Sequence, residues 1–201
     1  SQVTQLIARR VRESGVYCEI QPFNKVTKET VFNYNPNGII LSGGPASITN
    51  IDSPRVQKNI FNMGFPILGI CYGQQAMVEQ LGGKVANSEK KEFGRAELKI
   101  IADCELFNNS WNIGATEQVW MSHGDRVESI PDGFRAVGTS KNAPFAAIAN
   151  DLKKFYAVQF HPEVVHTVNG AKLIKNFTHR ICGCSGDWTM DAFKDQEITK
   201  I

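Results

Sequence analysis

No stretch of this sequence is long and apolar enough to cross a bilayer: the longest hydrophobic runs, such as Phe65-Pro66-Ile67-Leu68, are of strand length. Charge of one sign is not in excess either. The 22 Lys and Arg residues face 20 Asp and Glu, with no long basic stripe, so neither nucleic acid nor a membrane surface is expected as a partner. Cysteines are few, scattered and odd in number, five in all, which argues against a disulfide framework and for a reducing, cytoplasmic setting. Residues 1–13 lack the charged start and apolar block of a signal peptide. Internal repeats and low-complexity tracts are missing, as is a Gly-Lys-Ser/Thr phosphate loop. What is left is 201 residues, enough for one domain with a substantial core.

Periodicity divides the chain in two. Val3, Leu6, Ile7 and Val11 share one helical face, and Gly15 stops that helix. Residues 16–20 alternate like a strand. Thr27 caps a short helix to about Tyr34, broken by Asn35-Pro36-Asn37. Gly38-Ile39-Ile40-Leu41 has the character of a buried parallel strand. Ser53-Pro54 reads as a helix start with Val56, Ile60 and Met63 inward. The run 65–68 is a strand leading to Gly69-Ile70-Cys71-Tyr72-Gly73, and a helix follows to Leu81. Alternation of helix and strand predicts an α/β fold of three layers, a mainly parallel open sheet with helices on both faces. From Lys84 the texture changes. Short strands over 98–101, 118–122, 134–139, 145–149 and 155–160, separated by Gly, Pro, Asn and Asp turns, predict a small antiparallel sheet in addition. Asn169 is placed to cap a last core helix with Leu173, Ile174, Phe177 and Ile181 inward, and 190–201 reads as a second amphipathic stretch.

Gly69 to Gly73 has the layout of a nucleophile elbow: strand, sharp turn at a nucleophile between two glycines, helix. The glycines allow close backbone packing, and the helix N-terminus favours the thiolate of Cys71, its nucleophilic form. A buried structural Cys is the plain alternative. Such a nucleophile needs a base, and the base an orienter. The strand 155–160 runs into His161-Pro162-Glu163, where positions i and i+2 share a side, so Glu163 can hold the His161 imidazole toward a thiol. An oxyanion hole requires main-chain N–H donors. Tyr72, directly after the nucleophile, is one candidate, and the Gly43-Gly44 turn at another strand end is the second.

Three motifs together, Leu41-Ser42-Gly43-Gly44-Pro45, Gly69-Ile70-Cys71-Tyr72-Gly73-Gln74-Gln75 and Gln159-Phe160-His161-Pro162-Glu163, resemble the class I (triad) glutamine amidotransferases. The likeness extends over nearly the whole chain. It is strongest to the branch that supplies ammonia for amination of xanthosine monophosphate (XMP) to GMP, through Met121-Ser122-His123-Gly124-Asp125, the continuation to Thr167, and Ile181-Cys182-Gly183-Cys184 with Asp187-Trp188. The resemblance implies the family's flavodoxin-like fold. It also implies that Cys71 attacks the amide carbon of glutamine, that the amides of Gly44 and Tyr72 hold the oxyanion, and that His161, oriented by Glu163, handles the protons. Gln75 and the turn Ser122-His123-Gly124-Asp125 would bind the α-amino and α-carboxylate groups of the substrate. No metal or cofactor is implied in this domain. ATP and magnesium would act in a synthetase domain or subunit outside these residues, and a homodimer of the complete enzyme is compatible with the resemblance. Ser1-Gln2 matches the end of the family's opening strand and turn, so a first strand is expected to be missing. Residues 1–186 would form the amidotransferase domain and 187–201 the start of a linker to an ATP-pyrophosphatase domain.

Other chemistry-bearing residues carry less. His123 is a second potential base but has no carboxylate partner at strand spacing. His166 receives no chemical step. His179, Cys182 and Cys184 lack a fourth ligand at zinc-like spacing and read as local structure. Cys18 and Cys104 read as small buried hydrophobes, and Trp111, Trp120 and Trp188 as packing residues. Two rival functions remain at this stage, a γ-glutamyl peptide hydrolase of similar fold and a catalytically silent interaction domain.

Overall fold

A computed structural model describes residues 1–191, so the amphipathic stretch and the linker expected at the C-terminus lie mostly outside the described residues. The chain forms α1 (Gln2–Glu13), α2 (Lys28–Tyr34), β1 (Ile39–Leu41), β2 (Ile67–Ile70), α3 (Tyr72–Gln80), β3 (Lys84–Ile100), β4 (Thr116–Ser129), β5 (Arg135–Ser140), β6 (Ala143–Asn150), β7 (Phe155–Val158) and α4 (Gly170–Lys175), with α4 continuing as a π-helical segment over Asn176–Ile181. The expected α/β class and open sheet are present. The seven strands make one sheet in the order β1-β2-β7-β6-β5-β3-β4. Only β1–β2 and β2–β7 pair in parallel, and the remaining pairs are antiparallel. The antiparallel strands therefore extend the parallel part and do not form a separate small sheet, because β7 has a parallel neighbour on one edge and an antiparallel one on the other.

Side-chain alternation sorts the two faces. Ile67, Phe155, Ala157 and Ile148 lie with Met77 and Val78 of α3 on one side. Leu68, Ile70, Tyr156 and Val158 lie with Ile7 of α1 and with Leu173, Phe177 and Ile181 on the other. β2 is buried along its whole length, and each of its branched side chains contributes about 1.5–3 kcal/mol by leaving water. Helices thus cover both faces, and β2, central to that cover, carries the elbow at its C-terminal end.

Several local expectations differ. Residues 16–20 form no strand: Cys18 is tied to α1 instead, its carbonyl accepting from Arg12 at 2.9 Å and its thiol donating to the Ala8 carbonyl. Ser53-Pro54 starts no helix. The Ser53 hydroxyl donates to the Ser47 carbonyl, and the Arg55 guanidinium is held by the carbonyls of Ile48, Asn50, Ile51 and Ser53. This captures the backbone as a loop, and only Lys58–Asn62 closes a 3-10 turn, burying Ile60 and Phe61. β3 and β4 are far longer than the short strands expected there, and residues 122–125 belong to β4 rather than to a turn. A register shift between Asn87 and Glu92 of β3 lies opposite them. Asn169 occupies the N-cap position of α4 at φ 60° but makes no side-chain cap. By contrast, Thr27 forms a full capping box at α2. No helix among the described residues is long and apolar enough to span a membrane.

Candidate active site

At Cys71 the chain must leave β2 and enter α3 within one residue. It does so at φ 53° and ψ −109°, outside the favoured regions for a residue with a Cβ. Such a conformation costs about 1–3 kcal/mol and persists because its surroundings over-determine it. The Cys71 amide donates to Val158 of β7 at 2.8 Å, and its carbonyl accepts the first α3 bond, from Gln75, at 3.2 Å. Two glycines let helix and strands approach closely. A Cβ on Gly69 would lie 2.7 Å from the Gly73 carbonyl, and one on Gly73 would collide with the Leu41 carbonyl. The N–H of Tyr72, in the first turn of α3, has no acceptor within the helix.

β7 ends at Val158, so His161 and Glu163 stand on a turn and not on the strand that the alternation argument assumed. The contact it foretold nevertheless forms. Glu163 Oε1 accepts from His161 Nδ1 at 2.6 Å, and Glu163 is 1 % exposed. Its second carboxylate oxygen has no hydrogen-bond partner among the described residues. The turn is pinned on several sides. The His161 amide donates to Trp120 of β4 at 2.9 Å, and the His161 carbonyl accepts from the Thr167 hydroxyl at 2.6 Å. Thr167 in turn accepts from the Trp120 amide at 3.0 Å, and Arg10 of α1 donates to the Glu163 carbonyl at 2.9 Å.

The far side of the imidazole meets Cys71. A Cβ placed on Gly43 would touch both groups, 3.3 Å from His161 Cε1 and 3.4 Å from Cys71 Cβ. Burial alone would push the histidine down, but its hydrogen bonds to Cys71 and Glu163 and their charges outweigh it and raise the imidazole to about 10. Its affinity for a proton is therefore high, which suits it to take the proton of the Cys71 thiol. Space over the neighbouring Gly44 is open: a Cβ there would meet nothing within 4 Å. The mouth is narrow: Cys71 is 5 % exposed, and its thiol donates to the Ser122 carbonyl at 3.4 Å.

The residues assigned to substrate binding gather at the same edge. Gln75 donates to the Asp125 carbonyl and to Gln159 Oε1, both at 3.0 Å. The Asp125 carboxylate accepts from the Ser47 hydroxyl. His123 is buried, with Nδ1 2.8 Å from the Asp125 carbonyl and Nε2 3.1 Å from Glu92. Both of its nitrogens are engaged away from Cys71, so the structure does not bring it forward as a base. Ser122 contributes its backbone, and Gly124 packs near the Lys91 stem. Gln159, Glu92, Ser47 and Thr167 were not assigned from the sequence. Gln159 could have been, since it stands two residues before His161 at the end of an alternating strand.

Elsewhere the set-aside residues have local roles. His179 Nε2 donates to the Ser14 carbonyl at 2.8 Å, Cys182 packs against Gly38, and Asn37 donates to the Cys184 sulfur at 3.6 Å. Cys18 and Cys104 are half-buried rather than fully buried. Burial raises the Cys18 thiol and pushes Cys104 and Cys182 up to about 12. Trp111 is core, Trp120 stacks on His166, and Trp188 packs against Tyr17.

A strained cysteine, a carboxylate-oriented histidine and a helix N-terminus at one sheet edge can perform acyl transfer from an amide. The sequence family described as glutamine amidotransferase class-I matches residues 1–181. Over all 201 residues the chain is 58 % identical to GMP synthase [glutamine-hydrolyzing] of Sinorhizobium fredii. It is 59 % identical to the protein of that name from Allorhizobium ampelinum. In both cases it spans 38 % of the relative's length. Among solved structures, a protein assigned as a GMP synthase A subunit from Thermoplasma acidophilum superposes with a TM-score of 0.79 at 30 % identity, covering 100 % of this chain and 94 % of that one. A glutamine amidotransferase from Thermotoga maritima shares the fold at a TM-score of 0.70 and 18 % identity, over 89 % of this chain and 92 % of that one.

Proposed function

The chain belongs to the class-I glutamine amidotransferase family, and from that premise we propose that it hydrolyses glutamine at Cys71 and supplies ammonia to a synthetase unit that aminates XMP to GMP. The observation that carries this reading is the meeting of Cys71, on its positive-φ elbow, with His161 held by Glu163 at 2.6 Å. The thiol proton passes to His161, and the sulfur attacks the side-chain amide carbon of glutamine. The oxyanion sits between the amides of Tyr72 and Gly44, where removal of one donor would raise the barrier by about 2.7–4 kcal/mol. As the tetrahedral intermediate collapses, the carbon–nitrogen bond breaks and imidazolium His161 protonates the departing ammonia. Water, deprotonated by the same histidine, then cleaves the γ-glutamyl thioester, and the electron pair of the carbon–sulfur bond returns to sulfur.

Asp125, Gln75 and the Ser122–Gly124 backbone bind the amino-acid end of glutamine. A site built of such polar groups rejects ligands that leave them unpaired. As glutamine enters, the Ser122 carbonyl yields its contact with the sulfur. ATP and magnesium find no matching cradle here: the Gly43-Gly44 turn is followed by proline, no Gly-Lys-Ser/Thr occurs in the sequence, and no cluster of three metal-ligating side chains exists among the described residues. Their chemistry belongs to the synthetase unit, and this chain's part is cytoplasmic ammonia supply. The relatives that span the chain carry the glutamine-hydrolysing name, which favours glutamine over γ-glutamyl peptides.

The test uses the complete enzyme. Cys71→Ala is expected to abolish glutamine-dependent GMP formation and to preserve formation from added ammonia. Loss of both would make Cys71 structural. A glutamine-like electrophile incubated with the wild-type chain is expected to label Cys71 alone among the five cysteines, read by peptide mass spectrometry.

A further inference from the structure

We infer that Gln159 is a further catalytic residue of this glutamine-hydrolysing site: its side-chain amide donates an N–H to the Cys71 sulfur, and Gln75 fixes the orientation in which it can do so. The inference rests on the function proposed above. Gln159 follows β7 directly, and its backbone amide is tied to Ala146 of β6 at 2.8 Å. The side chain is 1 % exposed. Its Oε1 accepts from Gln75 Nε2 at 3.0 Å, and its Nε2 lies 3.6 Å from Cys71 Sγ.

Which end of an amide faces which neighbour is decided by the network around it. The Gln75 nitrogen can only donate, and it also donates to the Asp125 carbonyl at 3.0 Å. The group opposite it on Gln159 must therefore be the oxygen, which turns the NH₂ toward the sulfur. Asp125, Gln75, Gln159 and Cys71 form one chain of hydrogen bonds from the substrate-binding edge to the nucleophile.

Two donor–acceptor relations meet at the sulfur. At rest the thiol donates to the Ser122 carbonyl at 3.4 Å and accepts from Gln159. When the proton moves to His161, the Ser122 carbonyl loses its donor and faces a negative sulfur, whereas the Gln159 N–H faces it favourably. A hydrogen bond to the charged form favours that form, and the more so in a dry site. The same donor serves twice per turnover, once for the attacking thiolate and again when cleavage of the carbon–sulfur bond returns the electron pair to sulfur. A packing role alone would be met by an apolar side chain, without desolvating an amide.

The experiment measures the rate of Cys71 alkylation by iodoacetamide across pH in the chain and in Gln159→Leu, Gln159→Glu and Gln75→Leu, with melting curves as a fold control. The expected result is a rate–pH profile displaced to higher pH in Gln159→Leu, with reactivity at neutral pH about tenfold lower. Gln159→Glu, an acceptor beside the sulfur, should move it further, and Gln75→Leu in the same direction by less. A profile in Gln159→Leu that superposes on wild type, with the fold intact, overturns the inference. Should that variant not fold, an unmoved profile in Gln75→Leu overturns it equally. Failure of the glutamine-like electrophile to label wild-type Cys71 would instead strike the proposed function itself.

Discussion

Two buried groups, Cys71 and the carboxylate of Glu163, together outweigh the effect of burial on His161. The Glu163 oxygen bonded to Nδ1 keeps the imidazole oriented and, with Cys71, favours its charged form, although burial works against the charge. The sign of the pH effect follows. Unfolded, the histidine titrates near 6.5, at its ordinary value; folded, it is raised to about 10. The native state therefore binds more protons between those limits. Its stabilising contribution is complete below the lower limit and is lost as pH rises through the upper one. Glu163→Gln should remove much of this, lowering kcat by about 10²–10⁴-fold as expected for a damaged acid–base group. It should also move the alkaline limb of kcat/KM to lower pH. A pH–rate profile of the two proteins checks this, and an unmoved alkaline limb would assign that limb to another group. The pairing of His161 with Glu163 was legible in the sequence from their closeness along the chain, although it forms on a turn and not on the extended strand that their spacing suggested. The engagement of His123 by Glu92 was not, because those residues are 31 positions apart and meet only across the β3–β4 ladder.

The elbow works as an element because α3 is pressed into the ends of β1 and β2. Gly73→Ala would drive a methyl group into the Leu41 carbonyl, and backbone cannot rotate away as a side chain can. Overpacking of this kind costs about 1–3 kcal/mol, and for a chain of this size about 2–4 °C of melting temperature per kcal/mol. Because relief requires α3 to move, the Tyr72 amide moves with it. Calorimetry is expected to show the lowered midpoint, and a glutaminase assay a loss of kcat larger than the stability change explains. The existence of strand, elbow and helix was legible because a buried parallel strand and a Gly-x-Cys-x-Gly turn are local signals. The loop over residues 45–57 was not, because Ser53-Pro54 is a valid helix start until the Arg55 guanidinium claims the carbonyls around it.

Across the whole molecule, one sheet joins the catalytic edge to the antiparallel half. His161 and Thr167 bond to β4 at Trp120, β7 bonds to β6, and α1 reaches the catalytic turn through Arg10. Leu98, fully buried in β3, packs in the same core cluster as Ile70 and Cys71. Leu98→Ala should cost about 2–5 kcal/mol, and the loss should appear as one earlier transition. Far-UV circular dichroism and protection of Cys71 from alkylation are expected to change together. Two separated transitions would mean that the halves fold independently.

What the sequence by itself determined was chemistry carried by neighbours along the chain: the elbow, the His161–Glu163 pair, the capping of α2 and the parallel strands β1 and β2. These depend on φ/ψ preferences and on side chains a few residues apart. Only the tertiary structure decided that the antiparallel strands continue the parallel sheet, that residues 16–20 form no strand, and that Gln159, Glu92 and Thr167 join the site. Ladder pairing and side-chain hydrogen bonds between distant segments are settled by which surfaces pack together, and no local pattern encodes that.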